Sequence, residues 1–257
     1  IQIDADASQL RPEQPSVLAI HAEPTNIVRR LTAAAQALEG SQRERRHDSW
    51  RAEVMAARRA TPPEWEQVRS SLDQPIHPLR VCEALQPFLD DSAVFVSDGG
   101  EFGQWVQAGL EAQHRLINGP AGSIGSSVPM GLAAKLAHPQ RPVFVFLGDG
   151  TFGYHAMEFD TALRYNLPII VVVGNDARWN AEHQLQIQNY GEGRTVGCEL
   201  LPSRYDKVIE ALGGHGEFVQ DPDDLTPAVE RALASGLPAC INITIESVSA
   251  PTFRAND

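Results

Sequence analysis

The feature that most constrains the fold is an alternation of short apolar runs and helix-length segments that begins at Ile76. "VFVFLGDGTFG" contains one such run, Val143–Leu147, and "PIIVVVGND" contains another, Ile169–Val173. Apolar runs of this length, separated by amphipathic helices, indicate parallel strands whose sheet is covered on both faces. The sequence therefore predicts a doubly wound α/β fold with a mainly parallel sheet.

The other predicted elements continue this alternation. They comprise the strands Ala93–Ser97, Arg115–Ile117, Glu217–Val219 and Ala239–Ile245 and the helices Pro78–Leu89, Val128–Ala137, Tyr154–Tyr165, Ser203–Leu212 and Asp223–Ala234. Residues 1–40 differ, because two short strands and one helix cannot close a core alone. We interpret them as the tail end of a second α/β domain, within a piece of a longer polypeptide. Residues 41–75 are a predicted helical linker, residues 76–248 the main domain and residues 249–257 a tail.

Composition excludes several classes of partner. The net charge of −12 argues against nucleic acid, and no apolar run approaches the roughly 20 residues that a membrane helix needs. The three cysteines, Cys82, Cys198 and Cys240, lie far apart and form no CxxC pair. We therefore expect a cytoplasmic protein without a disulfide framework or a zinc site.

Glycine-containing segments follow four of the predicted strands, at residues 98–101, 119–125, 148–150 and 174–176. Ligands of parallel sheets bind beyond the carboxyl ends of the strands, and glycine lets backbone N–H groups approach a phosphate. A carboxylate beside a diphosphate is repulsive unless a divalent cation lies between them, and Mg²⁺ accepts oxygens from both groups. Asp149 and the Asn175-Asp176 pair are the candidate protein ligands. The pattern predicts a site for a metal ion and a diphosphate.

This stretch resembles the signature of thiamine diphosphate (ThDP) enzymes, in which GDG is followed some two dozen residues later by an asparagine-rich pair. With "GPAGSIGSSVPMGLAAKLAHPQRPVFVFLGDGTFG" it is most similar to the group of acetolactate synthase, 2-hydroxyacyl-CoA lyase and oxalyl-CoA decarboxylase. The resemblance covers about residues 76–248 and implies the ThDP-binding fold with ThDP and Mg²⁺ as cofactors. A weaker similarity implies that residues 1–40 end the central domain of that group.

The resemblance also implies roles for particular residues. Asp149 and Asp176 match the side-chain ligands of Mg²⁺, and Arg178 matches a residue that lends its backbone carbonyl. The implied cofactor-binding residues are Gly100, Glu101, Gly122, Ser123, Ile124, Gly148, Gly150 and Thr151, with Ile124 supporting the bent cofactor and the Gly122 carbonyl accepting its exocyclic amine. Asp176 departs from the asparagine that is usual in the group. We expect the extra charge to alter the metal or pH dependence of ThDP binding.

Several nearby side chains are not assigned to the cofactor. His155 and His183 flank the predicted site and could contact substrate, but a structural role is the preferred interpretation. Trp179 is interpreted as a packing residue. The segment Ala181–Gly191 occupies the place of a mobile segment over the active site in the resembled group, and its polar residues either line the site or form a solvated helix.

ThDP enzymes of this group need a glutamate from a pyrimidine-binding domain of a partner subunit, and no segment here resembles that domain. The resemblance therefore implies that this chain binds the diphosphate, contains no catalytic residue of its own and does not turn over alone. It further implies a homodimer or homotetramer, and it leaves room for FAD or ADP in the missing part.

Three functions remain open. The first is an acetolactate synthase-like enzyme that makes or breaks C–C bonds next to the carbonyl of a small 2-oxo acid. The second is a 2-hydroxyacyl-CoA lyase or oxalyl-CoA decarboxylase, which would take an acyl-CoA substrate. The third is a non-catalytic subunit with the ThDP fold. A Rossmann dinucleotide site is disfavoured, because no GxGxxG follows the first strand of the main domain.

Overall fold

The computed structural model describes residues 1–11, 18–37, 48–59, 61–119 and 121–251. The chain divides into two compact units, Ile1–Thr61 and Pro62–Asp257. The first unit contains a parallel pair of strands, β1 (Gln2–Asp4) and β2 (Ala19–His21), and the helices α1 (Pro24–Ala37) and α2 (Asp48–Arg59). None of the side chains described in this unit is buried. Residues 41–47 and 60 of the predicted linker and residues 252–257 of the predicted tail lie outside the described residues.

The second unit is built on a six-stranded sheet. Its strands are β3 (Val94–Ser97), β4 (His114–Ile117), β5 (Val143–Gly148), β6 (Ile170–Asn175), β7 (His215–Val219) and β8 (Ala239–Thr244). They lie in the order β4-β3-β5-β6-β8-β7, and every neighbouring pair is parallel. Ser97 pairs with Phe146 and Gly148 pairs with Gly174, so the carboxyl ends of β3, β5 and β6 meet at one edge.

Helices cover both faces of this sheet. They are α3 (Pro63–Arg69), α4 (Pro78–Leu85), α5 (Gly100–Gly109), α6 (Ser127–Ala137), α7 (Asp149–His155), α8 (Glu158–Arg164), α9 (Asn180–Tyr190), α10 (Tyr205–Leu212) and α11 (Leu225–Ser235). Phe144 and Phe146 of β5 pack in a core with α4, α5 and α11, whereas Val143, Val145 and Leu147 pack in a second core with α6, α8 and α10. Because both faces are apolar, β5 is a continuous hydrophobic run. The predicted doubly wound α/β fold is confirmed.

Three local predictions differ from the structure. The helix predicted at Tyr154–Tyr165 is two helices, and the first of them, α7, already begins at Asp149. Strand β6 continues through Asn175 instead of ending at Val173. Helix α5 was not predicted, because its sequence GEFGQWVQAG is rich in glycine. The burial of Phe102 and Val106 in the core stabilises α5 despite this low helix propensity.

No helix among the described residues is both long and apolar enough to cross a membrane.

Candidate functional site

A pocket lies at the carboxyl ends of β3, β5 and β6. In the strand order, β3 connects to β4 in one direction, and its neighbour β5 connects to β6 in the opposite direction. The position between β3 and β5 is therefore the topological switch point, where parallel α/β sheets bind ligands. The first turns of α5, α7 and α9 form its walls. The lining residues are Gly99, Gly100, Glu101, Phe102, Ile124, Gly148, Asp149, Gly150, Thr151, Gly174, Asp176, Arg178, Trp179, Asn180, Ala181 and Glu182.

Nine of the predicted site residues line this pocket: Gly100, Glu101, Ile124, Gly148, Asp149, Gly150, Thr151, Asp176 and Arg178. The other two, Gly122 and Ser123, are exposed and do not line it. They belong to the same glycine-rich segment as Ile124, which does. The structure therefore brings together the three predicted metal ligands and most of the predicted cofactor contacts.

Asp149 and Asp176 form a pair of carboxylates with unusual electrostatics. Asp149 is 1% exposed, and its Oδ2 atom has no hydrogen-bond partner among the described residues. Burial, and then repulsion from Asp176, raise the pKa of Asp149 to about 7. Burial also raises the pKa of Asp176 to about 6, against the lowering effects of Ser247 and Arg178. A buried and a partly buried carboxylate that repel each other are the arrangement that a bound cation would stabilise.

The turn after β6 presents the third predicted ligand. Ala177 has a positive φ of 56°, and the turn is bridged to residues 198–200 by Trp179 N–H donating to Cys198 O and Leu200 N–H donating to Ala177 O. This bridge uses neither the N–H nor the carbonyl of Arg178. The Arg178 carbonyl thus remains available as a ligand. The backbone N–H of the same residue lowers the pKa of Asp149 and of Asp176 by hydrogen bonding.

Asn175 does not act as the sequence suggested. It does not line the pocket, and its amide group is fully engaged. Its Nδ2 donates to Ser203 O (3.0 Å) and Asn242 Oδ1 (3.1 Å), while its Oδ1 accepts from Ala177 N–H (3.1 Å). The expectation that Asn175 shares in metal ligation is therefore wrong. Its side chain holds the turn that presents Asp176 and Arg178.

Asp98 is a residue that the sequence reasoning left without a role. It is fully buried, and its carboxylate accepts the backbone N–H groups of Gly99 (2.8 Å), Gly125 (3.0 Å) and Ser127 (3.0 Å). The carbonyl of Gly125 is also engaged, because a ring nitrogen of His155 lies 2.6 Å from its oxygen. Both polar backbone groups of Gly125 are thus held, which fixes the segment that carries Ile124. The signal for Asp98 was its position directly after a buried strand and before Gly99-Gly100.

Close packing explains two glycines and one tryptophan of the pocket. A Cβ atom on Gly150 would lie 2.8 Å from the Trp179 ring, and one on Gly174 would lie 2.4 Å from the Phe102 ring. Trp179 therefore lines the pocket in addition to packing against α7. Glu101 is also constrained, because its carboxylate accepts the backbone N–H of Ala250. Burial raises the pKa of Glu101.

The helix termini add favourable partial charge for an anion. Helices α5 and α7 both begin at the pocket, after Gly99 and Gly148, and neither first turn receives a side-chain cap. The first N–H groups of a helix are unpaired and carry positive partial charge. An anionic group bound here would meet backbone donors from two helices beside the carboxylate pair.

We expect Asp98→Asn to lower the free energy of unfolding by about 1–3 kcal/mol, because an amide nitrogen would face backbone N–H groups that have no other acceptor. Equilibrium unfolding in urea measures this loss. Asp91→Asn, which makes the same change at an exposed position, is the control and should leave the stability within about 0.5 kcal/mol of the wild type. Equal effects in both variants would contradict the role assigned to Asp98.

The raised pKa values predict an inverted pH dependence of stability when divalent cations are absent. A carboxyl group whose pKa is raised in the folded state stabilises the fold while it is protonated, and this contribution is lost as pH rises from 3.8 toward about 7. Asp149→Asn removes the charge, so in EDTA at pH 8 we expect it to raise the free energy of unfolding by on the order of 2 kcal/mol. At pH 5 the gain should be smaller. A uniform gain, or a loss at pH 8, would contradict this account.

Comparisons with known proteins agree with the geometry. The family described as "Thiamine pyrophosphate enzyme, C-terminal TPP binding domain" matches residues 98–243, which is more than half of the chain and includes every residue that lines the pocket. A probable acetolactate synthase of Mycobacterium bovis and the large subunit of acetolactate synthase of Mycobacterium tuberculosis are each 40% identical over 231 residues. These matches cover 88% of this chain and 42% of each relative, so the chain spans less than half of their length.

More distant relatives extend the comparison. A 2-hydroxyacyl-CoA lyase 2 of Caenorhabditis elegans is 34% identical over 164 residues, covering 62% of this chain and 25% of the lyase. Among solved structures, a thiamine diphosphate-dependent 4-hydroxybenzoylformate decarboxylase of Rhodococcus jostii RHA1 superposes with a TM-score of 0.62 at 22% identity. It covers 68% of this chain and 33% of the decarboxylase, and it shows the shared fold. The chain therefore belongs to the thiamine pyrophosphate enzymes, of which it contains the C-terminal TPP-binding domain.

Proposed function

We propose that this chain binds ThDP through a Mg²⁺ ion and forms the diphosphate-binding part of an acetolactate synthase-like enzyme. The observation that carries the proposal is the pair of carboxylates at the ends of adjacent strands, buried Asp149 and partly buried Asp176. Neither carboxylate has an ion-pair partner in the part of the chain that the structure describes. Leaving two repelling charges at least partly out of water is costly, and a cation between them and a diphosphate removes that cost.

The donor set fits Mg²⁺ held jointly by protein and ligand. No cluster of three or more His, Cys, Asp or Glu side chains suited to a metal occurs among the described residues, so the protein alone does not complete a coordination shell. Two carboxylates and the Arg178 carbonyl leave the remaining positions of an octahedral ion to phosphate oxygens and water. The N-termini of α5 and α7 would receive the diphosphate charge, and the unsubstituted edges of Gly100 and Gly148 leave space for it.

The remaining residues orient and enclose the cofactor. Asp98 and His155 hold the glycine-rich segment so that Ile124 stays at the pocket wall, and Trp179 closes the side next to Gly150. When bound, ThDP supplies a nucleophilic carbon and an electron sink for cleavage or formation of a bond next to a carbonyl. The role of this chain is binding, orientation and electrostatic stabilisation.

For the reaction, we propose decarboxylation and carboligation of a small 2-oxo acid. The support is the 40% identity to the mycobacterial acetolactate synthase relatives over most of the chain. The second candidate is a 2-hydroxyacyl-CoA lyase, supported by the 34% identity to the nematode lyase over a shorter span. Offering pyruvate and a 2-hydroxyacyl-CoA in separate assays to the complete enzyme distinguishes them.

We also propose that the acid that activates ThDP comes from outside this chain. The lining residues include no carboxylate beyond Asp149, Asp176, Glu101 and Glu182, and the first two are assigned to the metal. Glu101 is engaged by Ala250, and Glu182 is exposed in the first turn of α9. A pyrimidine-binding domain or subunit, within a homodimer or homotetramer, would supply the acid, and a site for FAD or ADP would lie in that part as well.

Calorimetric titration with ThDP tests the proposal. We expect saturable binding in the presence of Mg²⁺ and little binding in EDTA, because the carboxylate pair repels the diphosphate without a cation. Absence of Mg²⁺-dependent binding would favour a non-catalytic subunit that retains only the fold. With ThDP, Mg²⁺ and pyruvate, the chain alone should show no appreciable turnover; turnover would show that it contains the activating acid.

A further inference from the structure

A second pocket adjoins the cofactor pocket on the far side of Arg178. We call it the side pocket and define it by its lining residues Arg178, His183, Gln184, Ile187, Glu192 and Ser247. Arg178 is the residue that the two pockets share. The other walls come from helix α9, from the turn at Glu192 and from the segment after β8.

His183 is buried in the side pocket with an unused polar atom. The residue is 9% exposed, and its Nδ1 has no hydrogen-bond partner among the described residues. Its backbone is satisfied by the α9 bond to Trp179 O (2.9 Å). A buried ring nitrogen without a partner is destabilising, so such atoms usually mark a position where a ligand or water binds.

Arg178 presents the second group. Its side chain is half-buried; it attracts the Asp176 carboxylate, whose pKa it lowers, but it forms no ion pair among the described residues. A guanidinium group offers planar, paired donors whose geometry matches a carboxylate. Its donors are therefore open to an anion in the side pocket.

The other polar groups of the side pocket are already engaged. Gln184 donates to Asn180 Oδ1 (3.0 Å) and accepts from Ser249 Oγ (2.9 Å), and Ser247 Oγ donates to the same Asn180 oxygen (3.0 Å). Ile187 supplies an apolar wall, and Glu192 is exposed at the rim, where its charge opposes an anion. The free groups are thus the Arg178 guanidinium and the Nδ1 atom of His183, which donates in the tautomer that carries its proton on Nδ1, beside a small apolar surface.

From this arrangement we propose that Arg178 and His183 recognise the carboxylate of a small organic acid in the side pocket. The Arg178 guanidinium and the His183 ring can each contact an oxygen of the same carboxylate, and the wall at Ile187 accommodates a short apolar substituent. Because Arg178 borders both pockets, an acid held there lies next to the cofactor pocket. The proposal goes beyond the proposed function and does not depend on it, since it uses the side chain of Arg178, whereas the metal would be held by the carbonyl of that residue.

Ligand-observed NMR titration of the full chain with pyruvate tests the proposal, with ThDP and Mg²⁺ omitted. Pyruvamide, which has no negative charge, is the matched control ligand. We expect pyruvate to bind and Arg178→Gln to weaken it about tenfold or more, as loss of a charge-assisted hydrogen bond predicts. His183→Phe, which keeps the ring volume without the nitrogens, should also weaken pyruvate binding. Binding of pyruvamide should stay weak in every variant.

Glu192→Gln is the second arm, because it changes an exposed residue and does not endanger folding. It should tighten pyruvate binding by a few fold, since a competing charge is removed. Thermal unfolding of each variant checks its fold, and if Arg178→Gln does not fold, the Glu192→Gln result decides. Equal affinity for pyruvate and pyruvamide, no binding of either ligand, or an unchanged or weaker affinity in Glu192→Gln would overturn the proposal. Failure of ThDP binding would overturn only the proposed function.

Discussion

Asp149→Ala should weaken Mg²⁺-dependent ThDP binding by about a hundredfold or more. Even changes outside the first coordination shell cost ten- to a hundredfold in metal affinity, and this change removes a metal ligand outright. Its neighbours in the sequence, Gly148 and Gly150, have no side chain that could replace it. Calorimetric titration of ThDP at a fixed, saturating Mg²⁺ concentration measures the loss.

Two variants sharpen this experiment. Asp160→Ala removes the same side chain from an exposed position on α8, where Asp160 pairs with Arg164, and it should leave ThDP affinity unchanged. Asp176→Asn keeps an oxygen ligand and relieves the repulsion within the pair, so its effect should be much smaller than that of Asp149→Ala. Retention of wild-type affinity by Asp149→Ala would show that the carboxylate pair does not hold the ion.

Gly174→Ala should destabilise the second unit by about 2–4 kcal/mol. The added methyl group would lie 2.4 Å from the ring of Phe102, which is 4% exposed and packed in the core. Neither partner can move freely, because Gly174 lies in a strand paired on both sides with β5 and β8. Urea-induced unfolding, or loss of soluble protein on expression, would report the effect.

The matched control is Gly153→Ala on α7, where a Cβ atom would meet nothing within 4 Å. There the change should be neutral or stabilising, since alanine favours a helix more than glycine does. Phe102→Ala removes the three atoms that clash, Cγ and both Cδ atoms, so Gly174→Ala should cost less stability in the Phe102→Ala background than in the wild type. If Gly174→Ala unfolds like the wild type, the close approach of β6 and α5 is not as described.

Sequence patterns predicted the sheet better than they predicted the helices around the site. Strands such as Val143–Gly148 are apolar on both faces, so the burial that fixes them is visible in the residues themselves. The start of α7 at Asp149 was missed because glycines at 148, 150 and 153 suggested a turn. In the structure that turn is a helix N-terminus, held by the burial of Thr151 and Phe152.

The predicted site residues came together because Gly148 and Gly174 are direct neighbours across two strands, and that pairing follows from a parallel sheet. The roles of Asn175, Asp98 and His155 could not be read in the same way. Each acts through hydrogen bonds to residues roughly thirty or more positions away, such as the one from Asn175 to Asn242. Hydrogen bonds between residues so far apart in the sequence depend on the packing of the whole unit, and the spacing of apolar residues within one element does not predict them.

The anchoring of Asn175 has a consequence for variation in this protein. Ser203 O accepts from both Asn175 and Asn242, and Asn242 also donates to Asp206, which pairs with Arg204 at the start of α10. A chain of polar contacts thus connects Arg204, at the start of α10, through Asn242 of β8 and Asn175 of β6, to the turn that carries Arg178. Substitution of Arg204, which does not line the pocket, would shift that backbone and so tune cofactor affinity indirectly.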